Sequence, residues 1–565
     1  MTSTEESYDY VVVGGGTTGC TLAARLSEDA TVTVCLIEAG GSGKSVYVDV
    51  PAAILMAQRS ESLNWRFQTE PQPQLNGRRI GVPRGKGLGG SSLINGMVYF
   101  RGHPRDYDDW SKSGATGWSY REVLPYFCKS ENNEDFGDTI YHGTGGPMNV
   151  RSVRGPNPLN QSFFDALAGL GYTARRDLNG EDSEGMSLRQ LSIRGGIRET
   201  SARALLYPAM SRRNLTVLTG LRVTRVVLEG RRAVGVEAQG NTGQRTVRAR
   251  REVVLTAGAI QSPQLLLLSG IGDGEHLADV GVPLRHHLSG VGRNLHDHMA
   301  SPVHMSMNHT ASYGLSWRTI PRNLRHLAQY LVFRSGPLSN NVFESAAFVK
   351  SLPGLDRPDL QLVLQTAKRP KPSFPFPLGH GFAISPVGLY PRSRGRLTLA
   401  SSDPLAAPRI DPNLLSNPAD IQPLLRGLRL ARKIFASSAF AGYQAVETAP
   451  GEADQSDEAL INYIRAQAYT VHHPVSTCHM GNDPDAVVDP QLRVVGLEGL
   501  RVADASVFPS IIGGNTNAAV VMIAEKAADL ILGRPTLAPI STEKLAAAQH
   551  PINRPNVGEV DVGSH

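Results

Sequence analysis

The residues with the clearest chemical potential lie near the two ends of the chain. Near the N-terminus, Gly14, Gly16 and Gly19 follow a short β-branched run and precede apolar residues at helical spacing. A strand, glycine turn and helix of this kind can bind a pyrophosphate, because the glycines let the backbone approach it and the helix amides face the anion. Glu38 stands at the end of the next apolar run, where a carboxylate can accept hydrogen bonds from both hydroxyls of an adenosine ribose. The motif therefore predicts a dinucleotide site without distinguishing FAD from NAD, and a tight turn that binds no ligand is the alternative.

The second group of candidates lies nearly five hundred residues later. His473 precedes Pro474, and Asn515 follows two glycines just before the last apolar helix pattern. A neutral imidazole within hydrogen-bond reach of an alcohol can remove its proton, and an amide can donate to the alkoxide that develops. From the residue types alone, His473 could equally be an ordinary satisfied histidine and Asn515 a helix cap.

The surrounding patterns indicate which elements position these residues. Short apolar runs at 11–13 and 32–37, with a helical pattern between them, predict a βαβ unit. Another buried strand at 252–259 runs into a glycine turn and a helix, and 518–532 is a clean closing helix. Residues from about 300 to 465 alternate strands with Pro-rich loops. We therefore predict an α/β fold (α+β overall), with a Rossmann-like domain and a second domain built on a mainly antiparallel sheet flanked by helices.

Composition excludes several classes of protein. The 565 residues are 41% hydrophobic and 19% charged, and the net charge of +6 is spread over isolated arginine pairs, which does not indicate a nucleic-acid partner. The four cysteines are far apart, which fits a reducing compartment. The chain begins with polar, acidic residues and has no apolar run long enough to span a bilayer. We expect a cytoplasmic protein without a signal peptide or transmembrane segment.

Two histidine-rich segments could be mistaken for metal ligands. They are His296-Asp297-His298 and His286-His287. Adjacent histidines do not easily share one ion, and no cysteine or carboxylate accompanies them at helical spacing. We therefore predict no metal site.

The chain up to about residue 533 resembles the glucose–methanol–choline (GMC) oxidoreductases, a family of FAD-dependent alcohol oxidases and dehydrogenases. Four stretches carry the resemblance: 11–38, 85–98, 258–272 and 473–529. In the family a histidine before proline is the catalytic base and its partner is His or Asn, which implies that His473 and Asn515 are catalytic. The Asn partner is similar to the choline dehydrogenase and aryl-alcohol or hydroxymethylfurfural oxidase branch.

The resemblance also implies a set of FAD contacts from both ends of the chain. They are Gly14, Gly16, Thr17, Thr18, Gly19, Glu38, Ala39, Gly89, Ser91, Asn95, Gly96, Met97, Val98, Val223, Ala257, Gly258, Asp504, Ala505, Thr516 and Asn517. Some members attach FAD covalently through a histidine next to the Asn of the glycine-rich segment. Ile94 stands there in this chain, which implies non-covalent FAD. Ser476 is a departure, since many relatives have Gly at that position, and we expect it to affect loop shape.

The implied reaction is oxidation of a primary alcohol to the aldehyde. His473 accepts the hydroxyl proton, Asn515 holds the oxygen and hydride passes from the alcohol carbon to flavin N5, with O2 or an electron carrier as the final acceptor. His472, Phe343 and Glu344 are candidate substrate contacts, and Glu344 could face a quaternary ammonium group. The Pro-, Leu- and Phe-rich middle region suits an apolar or aromatic alcohol, or a polyether end, slightly better. The alternatives are a non-redox, hydroxynitrile lyase-like enzyme on the same scaffold and a flavin-binding partner module without turnover.

The implied domain division is discontinuous. The FAD-binding domain comprises 1–155, 196–300 and 466–533, the substrate-binding domain 156–195 and 301–465, and a flexible tail 534–565.

Overall fold

The first sheet of the fold contains the predicted βαβ unit. The computed structural model describes residues 6–549 except 138, 242, 370–373 and 375. Within them the strands Glu6–Val13 and Val34–Glu38 pair in parallel, and the helix Thr17–Leu26 connects them. Val11 and Val12 are fully buried, as expected of a parallel strand that is covered on both faces.

This sheet has seven strands drawn from widely separated parts of the chain. In spatial order they are Leu215–Thr219, Val34–Glu38, Glu6–Val13, Gly243–Leu255, Arg232–Gly240 and Leu221–Glu229, with Leu500–Val502 pairing Gly243–Leu255. The first four pair in parallel and the last two form antiparallel pairs. The carboxyl ends of the parallel strands therefore meet at one edge, which is where α/β sheets bind ligands.

A second sheet of eight strands is antiparallel in every pairing that the structure shows for it. Its main order is Val446–Ala449, Val303–Met307, His380–Gly388, Leu360–Gln365, Ser345–Val349 and Gly185–Leu188, joined by Met299–Ala300 and Tyr469–Thr470. The helix Ile421–Phe435 buries its apolar face against this sheet and the helices beside it. The predicted mixed α/β architecture with a mainly antiparallel second sheet is confirmed.

The remaining elements connect and cover these sheets. A four-stranded sheet is formed by Val98–Tyr99, Gln190–Leu191, Met148–Ser152 and Glu131–Asn133. Further helices of at least six residues are Ile54–Arg59, Pro104–Lys112, Tyr120–Ser130, Leu159–Gly169, Gly258–Leu268, Gly274–Asp279, Ile320–Phe333, Asp457–Gln467, Asn517–Ile531 and Thr542–Gln549. In the described part of the chain, no helix combines the length and apolar character needed to cross a membrane.

The sheets follow the predicted domain ranges only in part. All strands of the first sheet come from the ranges predicted for FAD binding. Met299–Ala300 and Tyr469–Thr470 come from the same ranges but join the second sheet. The division into domains stays a prediction.

The flexible tail from residue 534 stays a prediction; residues in this segment up to 549 contact the rest of the protein. Leu537 donates its backbone N–H to the Tyr126 hydroxyl, and Ile540 donates to the carbonyl of Arg121. Leu545 packs against the main core. Two hydrogen bonds to the helix Tyr120–Ser130 and apolar contacts with the main core therefore hold this segment, whereas 550–565 lie outside the described residues.

The closing helix Asn517–Ile531 joins the two ends of the chain. It packs against Thr17–Leu26, and Glu525, which has no exposed side-chain surface, accepts from both Nε and Nη2 of Arg25. Lys129 lies 3.3 Å from the same carboxylate. Removing one partner of a buried ion pair leaves an uncompensated charge, which is strongly destabilising.

We predict that Glu525→Ala lowers the free energy of unfolding by about 3 kcal/mol, because two cations lose their buried partner. Glu28→Ala is the matched control. Glu28 also contacts Arg25, but its side chain is more exposed, so the expected loss is below about 1 kcal/mol. Urea denaturation followed by circular dichroism measures both. Equal effects of the two variants would show that the buried contact does not hold the ends together.

Candidate active site

One large cavity lies where the two ends of the chain meet the second sheet. Its volume is about 940 Å³, at the upper end of the range for small-molecule sites. It is lined by the N-terminal glycine turn, the segment around 83–98 and the C-terminal loops at 471–474 and 515–517. Thr17 donates a hydrogen bond from Oγ1 to Oδ1 of Asn517 over 2.9 Å. The structure thus brings the two groups of sequence candidates into one site.

The glycine turn is shaped for close backbone approach. A Cβ on Gly19 would lie 1.9 Å from the carbonyl oxygen of Gly14, so this position packs against the turn itself. Gly16 precedes the helix, and no side chain caps the helix amides that follow it. Thr18 Oγ1 is buried without a hydrogen-bond partner. Open amides and an unsatisfied hydroxyl at a helix N-terminus suit an anion such as a pyrophosphate.

Glu38 lines the cavity and also accepts hydrogen bonds from backbone amides. Its Oε1 accepts from the amides of Gly40 and Gly87, and its Oε2 accepts from Gly15 over 2.8 Å. Since a carboxylate oxygen has two acceptor positions, one position on Oε2 stays open toward a ribose. Burial raises the pKa of this carboxyl group. Glu38 therefore holds the turn in place in addition to its predicted role.

A chain of hydrogen bonds passes through His473. His298 Nε2 lies 2.9 Å from the carbonyl oxygen of Leu389, and His298 Nδ1 lies 3.0 Å from His473 Nδ1. On its other side, His473 Nε2 lies 3.2 Å from Asn515 Nδ2. The predicted pair of His473 and Asn515 is thus in direct contact, and His298 is a third member.

The order of donors and acceptors in this series of hydrogen bonds determines the tautomer of His473. The carbonyl of Leu389 can only accept, so neutral His298 carries its proton on Nε2 and offers a lone pair at Nδ1. His473 must then donate from Nδ1, which leaves its Nε2 without a proton. Asn515 Nδ2 donates toward that lone pair. The bare nitrogen of His473 therefore faces the cavity side that Asn515 lines.

Electrostatics keep this imidazole neutral. Burial lowers the pKa of His473 well below its usual value, and the neighbouring His298 and Arg84 lower it further. Burial also lowers the pKa of His298 to about 4. An imidazole that stays unprotonated near neutral pH can accept a proton from an alcohol.

The residues around His298 support the site from behind. Asp297 accepts from the backbone amide of His473 over 2.7 Å, and burial raises the pKa of Asp297 to about 7. His296 accepts from the backbone amide of Ile511 at Nε2. The segment that resembled a metal site therefore holds the C-terminal loops by hydrogen bonds. Within the described residues, no three His, Cys, Asp or Glu side chains are grouped so that they could hold a metal ion.

Most of the predicted cofactor contacts line the cavity. They are Gly14, Gly16, Thr17, Thr18, Glu38, Ala39, Ser91, Asn95, Gly96, Met97, Val98, Val223, Ala257, Gly258, Asp504, Ala505, Thr516 and Asn517. Gly19 and Gly89 do not line it; both contribute to the turns beside it. Asp504 accepts from the amide of Gly258 over 2.8 Å, so it also joins the C-terminal loop to the first sheet.

The predicted substrate contacts are only partly brought together. His472 and Phe343 line the cavity. Glu344 does not line it: its carboxylate is fully buried and accepts from Tyr313 OH and from Asn157 N and Asn160 Nδ2, all within 2.8 Å. Because these donors already satisfy the carboxylate, the prediction that Glu344 could face a quaternary ammonium group is wrong.

The loop that carries the base has an unusual backbone. His472 and Ser476 have φ angles of +69° and +72°, in the left-handed region that favours glycine. Ser476 thus occupies a position where glycine would be unstrained, which fits the glycine that the family resemblance implies there.

Sequence reasoning missed Arg189. This residue follows the edge strand Gly185–Leu188, and its side chain lines the cavity. No motif marks it, because its position depends on the pairing of that strand with Ser345–Val349.

Comparison with known proteins gives a consistent result. Two family models described as GMC oxidoreductase match residues 8–300 and 391–524. An alcohol dehydrogenase [acceptor] of Pseudomonas putida is 42% identical over 533 residues, covering 94% of this chain and 97% of that protein. An oxygen-dependent choline dehydrogenase of Rhizobium johnstonii is 42% identical over 534 residues, covering 94% of this chain and 96% of that protein.

Solved structures agree with the sequence comparisons. The pyridoxine 4-oxidase of "Mesorbium loti" has a TM-score of 0.83 at 34% identity, covering 92% of this chain and 98% of that one. A fungal aryl-alcohol oxidase has a TM-score of 0.81 at 27% identity, covering 94% of this chain and 99% of that one.

We predict that Gly16→Ala folds normally but loses its dinucleotide. The added methyl group would meet only the Thr256 carbonyl oxygen, at 3.7 Å, so the empty protein tolerates it, whereas a ligand that needs close backbone approach does not. Flavin absorbance per protein and the melting temperature of the stripped protein measure the two effects. Gly41→Ala, where an added Cβ meets nothing within 4 Å, is the control. A Gly16→Ala protein that keeps its full flavin content would contradict the assignment of this turn.

Proposed function

This chain belongs to the GMC oxidoreductase family, and we propose that it oxidises a primary alcohol to the aldehyde with His473 as the base. It is an FAD-dependent enzyme that acts on CH–OH groups. The observation that carries the proposal is the contact of His473 Nε2 with Asn515 Nδ2, 3.2 Å apart in the cavity.

The residues present fit FAD. The phosphates suit the open helix amides after Gly16, and the unsatisfied Thr18 hydroxyl lies next to them. Within the described residues, Asn515 Oδ1 is also buried without a partner and can accept from a ligand. Ile94 lines the cavity where a histidine would be needed for covalent attachment, which supports a non-covalent cofactor. When bound, FAD supplies the acceptor for the hydride that leaves the alcohol carbon.

His473 and Asn515 have different roles toward the hydroxyl group of the substrate. When the hydroxyl group replaces the direct Asn515–His473 hydrogen bond, His473 Nε2 accepts the hydroxyl proton, and Asn515 Nδ2 donates to the oxygen as negative charge develops on it. The proton makes His473 an imidazolium, whose Nδ1–H still donates to His298 Nδ1. The carbonyl of Leu389 holds His298 in the tautomer that can accept. The arrangement therefore orients the base before the substrate arrives. Electrons leave the enzyme to O2 or to an electron carrier.

The cavity disfavours a cationic alcohol. Several relatives are named choline dehydrogenase. The acidic side chains that line this cavity are Glu38 and Asp504, and both accept from backbone amides of the first sheet and its turns. On the side of the second sheet, the charged lining residues are Arg189, Lys368 and Arg369. A quaternary ammonium group would meet charges of its own sign there, so we propose a substrate other than choline.

We predict that His473→Ala keeps its bound flavin but reduces it about 10²- to 10⁴-fold more slowly with a primary alcohol, because no group takes the proton. Anaerobic stopped-flow measurement of flavin bleaching gives the rate. Added imidazole should restore part of it.

His287→Ala is the matched control, since His287 is exposed and does not line the cavity. It should bleach at the wild-type rate. An unchanged rate in His473→Ala would remove the proposed base. A wild-type flavin that no alcohol bleaches would instead favour the non-redox lyase reaction.

A further inference from the structure

We propose that the alcohol substrate also carries a carboxylate, which the guanidinium of Arg189 binds. This inference rests on the proposed function and names the substrate class of the same site. The carboxylate takes no part in the bond changes. It fixes the substrate so that its hydroxyl group reaches His473.

Within the described part of the chain, Arg189 is a buried cation that forms no side-chain hydrogen bond. The residue is 8% exposed and lines the cavity, and its Nε has no described hydrogen-bond acceptor. No described side chain forms an ion pair with it. Two other buried arginines differ: Arg101 pairs with Glu131, and Arg198 donates to carbonyl oxygens of Val48 and Asn95. Leaving a buried charge unpaired is costly, so the vacant donors of Arg189 point to an anionic ligand.

The position of Arg189 is fixed by backbone contacts. Its amide donates to the carbonyl of Glu344 over 2.8 Å, and its carbonyl accepts from Val153 over 3.0 Å. Burial lowers the pKa of Arg189 to about 9, so it remains a cation at neutral pH. Arg189 and His473 line the same cavity. The positive charge of Arg189 contributes to the lowered pKa of His473, after burial and the effects of His298, Arg84 and His472.

The surroundings favour a carboxylate at this place. Lys368 and Arg369 also line the cavity on the side of the second sheet, and no acidic side chain among the described residues lines it there. Arginine binds carboxylates through paired N–H donors in a fixed geometry. The predicted phosphate-binding turn follows the strand Glu6–Val13 of the first sheet, whereas Arg189 follows a strand of the second sheet, so the dinucleotide phosphates have their own donors.

The test compares 3- and 4-(hydroxymethyl)benzoate with their methyl esters, using the FAD-loaded enzyme without air. We expect the second-order rate constant of flavin bleaching (the limiting rate divided by the apparent Kd) for the better acid to exceed that for its ester by about 10- to 100-fold, the effect of a hydrogen bond between charged groups. Arg189→Gln should reduce this acid-to-ester ratio to about one, and Arg189→Lys should retain part of it. Benzoate, which cannot react, should perturb the flavin spectrum of the wild type and bind at least about tenfold more weakly to Arg189→Gln.

Arg222→Gln is the matched control. Arg222 lines the same cavity beside Val223, so this variant removes one cavity charge elsewhere and should keep the ratio. Equal use of acid and ester by the wild type, or an unchanged ratio in Arg189→Gln, would overturn the inference and leave the proposed function standing. Loss of flavin from Arg189→Gln, with acid and ester slowed alike, would also overturn it by assigning Arg189 to the cofactor. If no alcohol bleached the bound flavin, the proposed function itself would be contradicted.

An exposed helix carries a second, independent inference. The helix Ile320–Phe333 and Trp317 before it present a row of apolar side chains to solvent. Their exposures are Trp317 81%, Ile320 56%, Leu324 60%, Leu327 45% and Leu331 62%. We propose that this face, here called the apolar face, docks on an anionic membrane surface.

The geometry of the helix supports docking by one face. The five residues recur at intervals of three and four, so they share one side of the helix. Tyr330, on another side, is 1% exposed and donates its hydroxyl to the carbonyl of Gly196, which anchors the helix to the protein. Single exposed apolar residues are ordinary, but a contiguous apolar face indicates an interaction site.

Charge identifies the partner. Residues 298–343 contain no Asp or Glu, whereas Arg318, Arg325 and Arg334 are exposed around the apolar face. A second copy related by a two-fold axis would bring these like charges together. A basic amphipathic helix instead suits the headgroup region of anionic lipids. Leu327 and Asn323 also line the cavity, so the apolar face adjoins it.

Flotation with vesicles tests this inference. The FAD-loaded enzyme should float with vesicles of equal parts phosphatidylglycerol and phosphatidylcholine, but at least about tenfold less with phosphatidylcholine alone or in about 0.5 M salt. Leu324→Glu combined with Leu331→Glu should abolish flotation. Leu352→Glu, at a leucine 46% exposed elsewhere, is the control and should float like the wild type. Flotation that ignores lipid charge, no flotation at all, or dimers in light scattering that the double variant separates would overturn the inference.

Discussion

The site depends on the packing of the N-terminal helix Thr17–Leu26 against the closing helix Asn517–Ile531. These helices begin at the two halves of the cavity, so their contact sets the distance between the glycine turn and the C-terminal loop. The Arg25–Glu525 pair joins the last turn of the first helix to the middle of the second, and the Thr17–Asn517 hydrogen bond joins the starts of both helices. Because all of these contacts are buried or half-buried, small shifts of either terminus are costly and the cavity keeps its shape.

The packing of the two ends of the chain also keeps the imidazole of His473 neutral. Closing the ends over His473 removes it from water, which lowers its pKa, while the carbonyl of Leu389 sets the tautomers of both histidines. Neither effect requires a carboxylate next to the base. Asp297 contacts the backbone of His473 and leaves the ring free, so it positions the loop without fixing the imidazole as a cation.

Much of the fold and of the candidate site could be predicted from local sequence. The βαβ unit, the closing helix and the His473–Pro474 pair each depend on short-range patterns, and the resemblance supplied the link between them. Glu344 and Arg189 could not be assigned, because their surroundings arise from strands far apart in the chain: Gly185–Leu188 pairs with Ser345–Val349. That pairing leaves Arg189 in the cavity and Glu344 among its donors. The sequence alone suggested that Glu344, and not Arg189, contacts the substrate. An acidic residue next to Phe343 is noticeable in the sequence, whereas an arginine after a short strand is not.

The charge distribution of the cavity links substrate binding to the strength of the base. In the empty site, Arg84 and Arg189 both act on His473 and lower its pKa, which weakens its affinity for a proton. A carboxylate held by Arg189 cancels the second of these contributions, so the proton affinity of His473 rises when the substrate is in place. The imidazolium formed by proton transfer then lies near the substrate carboxylate, which compensates the positive charge of Arg189. Binding energy at the remote carboxylate is thereby used to stabilise the charge that appears during the reaction.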